Sequence, residues 1–147
     1  MSAMTLGRLS LALTSVLALG ALAASCGGGV HPVALPPTQF REGEAMMHEA
    51  LGNWERTVGQ PVRVLRQYVA SGDWHVDLDR VGAPVERSFA FTAYYETLGN
   101  GRCYFGPGLV VQDAQGYGQW SRPYARWTMQ GHSVDGGCEA VMALPER

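Results

Sequence analysis

Three cysteines are the residues of this 147-residue chain with the most defined chemistry. They are Cys26, Cys103 and Cys138. A thiol can form a disulfide, bind a metal ion or carry a covalent group, and its partners and compartment decide which. A zinc site that joins Cys103 and Cys138 to His132 or His75 is the weaker interpretation, because the spacing fits neither a CxxC nor an HxxxH pattern. We therefore expect no metal and no cofactor.

The segment before Cys26 has the pattern of a secretory signal over residues 1–25. Arg8 is its only charge, and an uncharged apolar run of 16 residues follows, from Leu9 to Ala24. A positive start, an apolar core and small residues before a cleavage point are typical of such signals. A spanning helix needs roughly 20 residues, so permanent insertion of this run is less favoured.

The end of this segment together with Cys26, Leu22-Ala23-Ala24-Ser25-Cys26, resembles the lipobox of bacterial lipoproteins. The resemblance covers residues 1–26 and implies cleavage before Cys26, lipid on its sulfur and anchorage in a membrane. Gly27 after the cysteine, in place of Asp, implies the periplasmic face of the outer membrane. Ala23 stands where Leu is usual, which keeps open an ordinary cleavage that releases a soluble secreted protein.

The residues after Cys26 predict a tether and then one domain. Residues 26–39 contain Gly27, Gly28 and Gly29, followed by three prolines, and such a composition favours a flexible linker. Residues 40–147 are long enough for a single domain. With Cys26 assigned to the anchor, Cys103 and Cys138 remain as an even pair in an oxidising compartment, so we predict a disulfide between them.

Charge excludes one class of partner. The chain contains no lysine, and removal of residues 1–25 leaves ten arginines against thirteen acidic residues, a formal charge of −3. A mildly acidic domain with scattered arginines has no basic stripe for a phosphate backbone. Nucleic acid is therefore not expected as a partner. The expected partners are membrane lipid through Cys26 and a protein or cell-wall component.

Hydrophobic periodicity predicts an α+β fold for the domain. Met47, Leu51 and Trp54 share one face of a helix over residues 41–58, for which Thr38 is a candidate cap. Alternating residues then predict strands, with Arg63 and Arg66 facing outward. The predicted strands cover residues 62–69, 74–78, 89–95, 103–112, 119–129 and 136–144. The helix would pack on a curved antiparallel sheet of about four to six strands, an order that resembles the cystatin-like and NTF2-like folds.

Two clusters suggest catalysis but have simpler explanations. Gly131-His132-Ser133-Val134-Asp135-Gly136 has Asp135 where a nucleophile elbow requires glycine, and triad members come from separate segments, so a polar loop is favoured. Asp77 and Asp79 lie roughly 7 Å apart on one face of a strand, a separation that suits acid–base pairs. The opposite face carries Trp74, Val76 and Leu78, which we expect in the core, so the carboxylates face solvent.

Aromatic residues among polar ones are the most suggestive feature of the domain. Tyr117, Trp120, Tyr124 and Trp127 alternate with Gly, Gln, Ser and Arg, a mixture suited to binding sugars, peptides or a protein. Packing within the sheet is the alternative. The sequence predicts a non-enzymatic envelope lipoprotein with a binding domain. The other hypotheses are a structural spacer and a small NTF2-like enzyme or ligand-binding protein, whose pocket would be lined by Phe91, Tyr95 and Tyr104.

Overall fold

One long helix packs across an antiparallel sheet in the computed structural model, which describes residues 28–147. Helix α1, Arg41–Thr57, buries Met47, Ala50 and Leu51 against the sheet and leaves Trp54 half-buried at its end. The spacing of the apolar residues on this face thus produces the packing of helix on sheet that the sequence predicts. Phe40 occupies the N-cap position, and the Thr38 hydroxyl accepts a hydrogen bond from the Phe40 amide at 3.1 Å. Thr38 therefore lies before the cap rather than at it.

Within residues 28–147, seven strands form the sheet, and a central hairpin of two long strands organises it. The strands are β1 (Val62–Val69), β2 (His75–Leu78), β3 (Pro84–Thr97), β4 (Arg102–Gly116), β5 (Gln119–Trp120), β6 (Tyr124–Trp127) and β7 (His132–Ser133). Strands β1 and β2 follow each other along one edge of β3, and β4 pairs with its other edge. The outer edge of β4 pairs with β5, β6 and β7 in turn.

The sheet is curled and carries an apolar cluster on each face. The inner face holds α1, and its cluster includes Phe89, Phe91 and Val110. The outer face is covered near the start of β4 by the C-terminal helix α2, Gly137–Met142, and by residues 30–35. The predicted α+β fold, with one main helix on a curved antiparallel sheet and one disulfide, is confirmed.

The C-terminal part of the sheet differs from the prediction in three places, one of which is the short strand β7 within residues 131–136, where a polar loop was expected. Residues 119–129 form two short strands, β5 and β6, because Pro123 between them is buried and has no N–H for a ladder. Residues 136–144 contain the helix α2 and not a strand. Cys138, Val141 and Leu144 are spaced by three residues, which places them together on the outer-face cluster. The disulfide is compatible with either element, so the cysteine alone could not distinguish them.

Much of the predicted flexible tether is docked on the domain. Val30 forms a parallel bridge with Val134: its amide donates to the Ser133 carbonyl at 2.8 Å and its carbonyl accepts from the Asp135 amide at 2.9 Å. Pro32 is buried, and Ala34 and Leu35 pack on the outer-face cluster. The prolines that suggested a linker restrict φ and do not prevent this segment from docking on the sheet.

Two side-chain predictions on the β1 and β2 strands are wrong. Val76 and Leu78 are 43 % and 60 % exposed, because β2 pairs with the first residues of β3, whereas α1 packs mainly on β1 and β6. Arg66, expected to face outward, is only 8 % exposed. A β-bulge between Val64 and Arg66 shifts the register, so that Arg66 lies on the outer face beneath the C-terminal segment.

Candidate functional site

An open groove lies where the end of α1 meets β3 and β6. Its volume is about 470 Å³, and it is lined by Trp54, Tyr95, Trp127, Thr128, Met129, Gln130 and Gly131. The aromatic rings come from three different elements, and the residues after β6 form the outer rim. The groove is thus assembled only when the helix and the sheet have packed together.

Ring contacts fix the floor of the groove. The centroid of the Trp54 ring lies 4.8 Å from that of Trp127 and 5.1 Å from that of Tyr95, both in edge-to-face geometry. Tyr95 also stacks on Tyr104, with 5.7 Å between ring centroids. Aromatic pairs at such distances and angles stabilise each other beyond their burial, by about 1 kcal/mol each. The rings therefore form a preorganised apolar wall.

Two glycines of β4 make room for these rings. A Cβ built on Gly106 would lie 2.6 Å from the Trp127 ring, and one built on Gly108 would lie 2.6 Å from the Phe91 ring. Gly108 is the cross-strand partner of both Phe91 and Trp127, so the inner face is flat at this point. Large rings on β3 and β6 can then cover the β4 backbone directly.

The electrostatic environment of the groove is neutral. None of its seven lining residues carries a charge near neutral pH. Desolvation by burial raises the pKa of Tyr95 above its ordinary value, and the nearby Tyr104 adds to this effect. The Tyr95 hydroxyl thus stays protonated and can both donate and accept hydrogen bonds. This lining suits a neutral ligand with an apolar face and a few hydroxyl or amide groups.

The four aromatic residues predicted as a binding surface do not share one face. Trp127 points toward α1 and lines the groove, whereas Tyr124, three residues earlier on the same strand, points to the opposite face. The Tyr124 hydroxyl lies 3.4 Å from an Asp113 carboxylate oxygen. Tyr117 is fully exposed in the turn between β4 and β5, with a φ of 54°.

Trp120 stabilises an arginine rather than a groove. The Arg87 guanidinium carbon lies 4.1 Å from the Trp74 ring centroid and 4.7 Å from that of Trp120, so the cation is held between two indoles. Its Nε donates to Gln112 at 2.9 Å, and Glu42 lies 3.8 Å away. The aromatic cluster therefore serves two separate sites, and of its four residues only Trp127 lines the groove.

Trp54, Tyr95 and Met129 are groove residues that the predicted binding surface omits. Trp54 and Tyr95 follow the core periodicity of their elements, so their pattern alone gives no sign of exposure. The end position of Trp54 in α1, three residues before Thr57, is the one available signal. Of the residues expected to line a pocket in the NTF2-like alternative, Tyr95 lines the groove, whereas Phe91 is 1 % exposed beneath Trp127 and belongs to the core.

The clusters that suggested catalysis lie at the surface, where Asp77, Asp79, His132 and Ser133 are all exposed. The Asp79 carboxylate accepts hydrogen bonds from the Val81 and Ala83 amides, both at 2.9 Å, and so forms the β2–β3 turn. Asp77 is exposed beside His75, with 3.1 Å between carboxylate oxygen and ring nitrogen. Consecutive positions in β7 direct His132 and Ser133 to opposite faces. Within residues 28–147, no group of three His, Cys, Asp or Glu side chains could hold a metal ion.

The cysteine prediction is confirmed where the structure can test it. Cys103 and Cys138 form a disulfide, with 5.1 Å between their Cα atoms. Cys26, predicted to carry lipid, lies outside the described residues. Among residues 28–147, neither helix is long and apolar enough to cross a bilayer.

No protein-family model, curated protein or solved structure matches the chain. The likeness of its element order to cystatin-like and NTF2-like folds stays a prediction.

Proposed function

We propose that the chain is a bacterial envelope lipoprotein, held by lipid on Cys26, whose α+β domain is a non-enzymatic binding module. The observation that carries the proposal is the lipobox-like sequence Leu22-Ala23-Ala24-Ser25-Cys26. The Cys103–Cys138 disulfide supports it, because disulfides persist in the oxidising compartments that such proteins enter. We place the domain at the periplasmic face of the outer membrane, with release as a soluble secreted protein as the alternative.

Mass spectrometry of the mature protein tests the anchor. We expect a chain that begins at Cys26, carries acyl chains and lacks two hydrogens for the disulfide. Cys26→Ser is the matched control, because it removes the lipidated thiol and should move the protein from the membrane to the soluble fraction. An unmodified chain that begins at Ala24 would contradict the anchor.

The groove formed by Trp54, Tyr95 and Trp127 is the proposed ligand site. Its neutral aromatic wall and the polar rim residues Thr128 and Gln130 suit the sugar rings of a cell-wall glycan. A sugar ring offers an apolar face for stacking and hydroxyl groups for the rim. The lining contains no acid or base that works near neutral pH, which favours binding over catalysis.

Titration of the lipidated protein with soluble cell-wall glycan fragments tests this site. Binding should change the tryptophan fluorescence, since Trp54 and Trp127 lie in the groove wall. Met129→Ala should weaken binding several-fold, whereas Met142→Ala should not. The two methionines are matched, because each is 51 % exposed and only Met129 lines the groove. Equal effects of the two variants, or binding of a protein segment only, would contradict the glycan assignment.

Turnover is the outcome that would contradict a non-enzymatic role. A hydrolytic or isomerising activity that is lost in Asp77→Asn or Asp79→Asn would replace the binding module with an enzyme. Asp79→Asn needs a stability measurement beside it, because the Asp79 carboxylate holds the β2–β3 turn.

A further inference from the structure

The first described residues are held against the domain by a series of close contacts. Gly29 lies so close to Asp135 that a Cβ on it would overlap the Asp135 carboxylate. Val30 then forms its bridge with Val134, and the Tyr94 hydroxyl holds both backbone groups of Val33. The chain is therefore fixed to the sheet from Gly29 onward.

The remaining link to the proposed lipid is very short. Cys26 stands three residues before Gly29, and consecutive Cα atoms are 3.80 Å apart, so the two Cα atoms are separated by at most about 11 Å. This maximum separation of the two Cα atoms is shorter than the length of the domain. A link of this length restricts which part of the domain can meet the bilayer.

We infer that the lipidated protein stands on the membrane by the end of the sheet where β4 begins, and presents the β2–β3 hairpin to the compartment. This inference rests on the proposed lipidation of Cys26. Val30 lies beside Val134, whose amide donates to the Cys103 carbonyl at 3.1 Å, so the anchor joins the start of β4. The β2–β3 hairpin lies at the other end, where Glu86 pairs with Asp113.

The length of β4 separates the two ends. Gly116, at the far end, comes twelve residues after Tyr104, the partner of Ser133, a path of up to about 40 Å at 3.3 Å per residue. The anchored end exposes Leu98 and Arg102 in and beside the β3–β4 turn. An apolar side chain and a long cation suit the headgroup region of a bilayer.

The far end exposes a different surface. Leu78 and Val81 are 60 % and 88 % exposed, and Tyr117 in the β4–β5 turn is fully exposed. In the inferred orientation these side chains face away from the membrane that holds the lipid. They are then accessible to molecules in the surrounding compartment.

Spin labels on the lipidated protein in vesicles test the orientation. His132→Cys and Val81→Cys place a nitroxide beside the anchor and at the hairpin tip, and both side chains are exposed. The vesicles contain phosphatidylethanolamine, phosphatidylglycerol and a nickel-chelating lipid, whose headgroup relaxes a nearby nitroxide. We expect relaxation several-fold stronger at position 132 than at position 81.

A longer linker is the matched control. Ten Gly and Ser residues inserted between Gly28 and Gly29 leave the docked contacts intact and should abolish the difference between the two positions. Equal relaxation at both positions in the parent protein would show that the domain lies flat and would overturn the orientation. Equal absence of relaxation would overturn it as well.

Mass spectrometry of the same labelled samples separates the two proposals. Acylated protein with equal relaxation overturns the orientation and leaves the lipoprotein proposal in place. Protein without acyl chains overturns the lipoprotein proposal. It also overturns the inferred orientation, because that orientation rests on the lipidation of Cys26.

Discussion

The Tyr94 hydroxyl binds both backbone groups of Val33, accepting from its amide at 2.9 Å and donating to its carbonyl at 3.0 Å. Tyr94 lies on the outer face of β3 and is 2 % exposed, whereas Val33 belongs to the segment that precedes the domain in sequence. The Tyr94 hydroxyl thus makes the two hydrogen bonds with the Val33 backbone that a neighbouring strand would otherwise make. This pairing links the N-terminal segment to the fold.

Tyr94→Phe should loosen this segment without removing the core packing. Two hydrogen bonds are lost, and because Val33 is 55 % exposed, water can replace part of them. We expect the free energy of unfolding to fall by about 1 to 2 kcal/mol. Hydrogen exchange at the amides of residues 30–35 should accelerate by more than that of β3. Tyr124→Phe is the control, since its hydroxyl lies 3.4 Å from an Asp113 carboxylate oxygen and not beside the N-terminal segment, and a similar effect there would contradict the assignment.

Alkaline pH should destabilise the domain through its buried tyrosines. Desolvation by burial raises the pKa of Tyr94, and a hydrogen bond with the Val33 backbone partly opposes the shift. Burial likewise raises the pKa of Tyr68, against the charges of Arg66 and Arg147. A folded-state pKa above the unfolded value of about 10 gives stability that is complete below pH 10 and is lost as pH rises toward the folded value. Urea unfolding between about pH 8 and pH 11 measures this loss.

Substitution at single tyrosines identifies the groups responsible for the alkaline loss. Tyr94→Phe should make the free energy of unfolding fall less steeply above about pH 10. An unchanged slope in Tyr94→Phe would contradict the burial argument.

The disulfide should contribute a large share of the stability of this small domain. Cys103 and Cys138 are 35 residues apart, and closing a loop of that length lowers the entropy of the unfolded chain by an amount worth about 4 kcal/mol at 25 °C. The double variant Cys103→Ser, Cys138→Ser should lose roughly that free energy of unfolding. Reductant should destabilise the parent protein and leave the double variant unchanged, and a response of the double variant would point to another cause.

Arg66 should matter far more than Arg63 on the same strand. Its guanidinium donates to the carbonyls of Met142 and Leu144 at 2.9 and 2.8 Å, and so holds the C-terminal end of α2 on the sheet. Arg66→Ala leaves these carbonyls without their donor, and we expect a loss of roughly 3 kcal/mol. Arg63 is 63 % exposed in its pair with Glu96, so Arg63→Ala should cost less than about 1 kcal/mol. Denaturant unfolding of both variants measures the difference, and equal losses would contradict it.

The sequence was most informative where one face of an element is apolar along its whole length. The spacing of Met47 and Leu51 predicts α1, and the alternation around Phe89 and Phe91 predicts β3, because both faces pack against the same core. Residues 136–144 were misassigned because a six-residue helix offers less than two turns of periodicity. Short apolar segments fit helix and strand equally well.

The candidate site was less predictable than the fold, because it depends on contacts between distant elements. Trp54 and Trp127 are 73 residues apart, and only the packing of α1 on β6 brings their rings together. The residue pattern of β1 gives no sign of the β-bulge that buries Arg66. The periodicity of one element indicates which of its residues can be buried. The groove, in contrast, consists of side chains that remain uncovered where α1 meets the sheet, so the pattern of a single element does not predict it.

The glycines of β4 should be essential where aromatic rings cover them. Gly108→Ala places a Cβ 2.6 Å from the Phe91 ring and 3.0 Å from the Arg126 carbonyl, so the ring or the β6 backbone must move. Phe91 is 1 % exposed in a packed core, which leaves it no space to yield, and we expect a loss of about 2 to 3 kcal/mol. Gly72→Ala is the matched control, since its Cβ meets nothing within 4 Å and its φ is not positive. Thermal unfolding of both variants measures this loss of stability.

The position of Gly108 beside Trp127 of the groove predicts a second effect. If Gly108 supports the ring layer beneath Trp127, Gly108→Ala should also change the tryptophan emission of the folded protein, whereas Gly72→Ala should not.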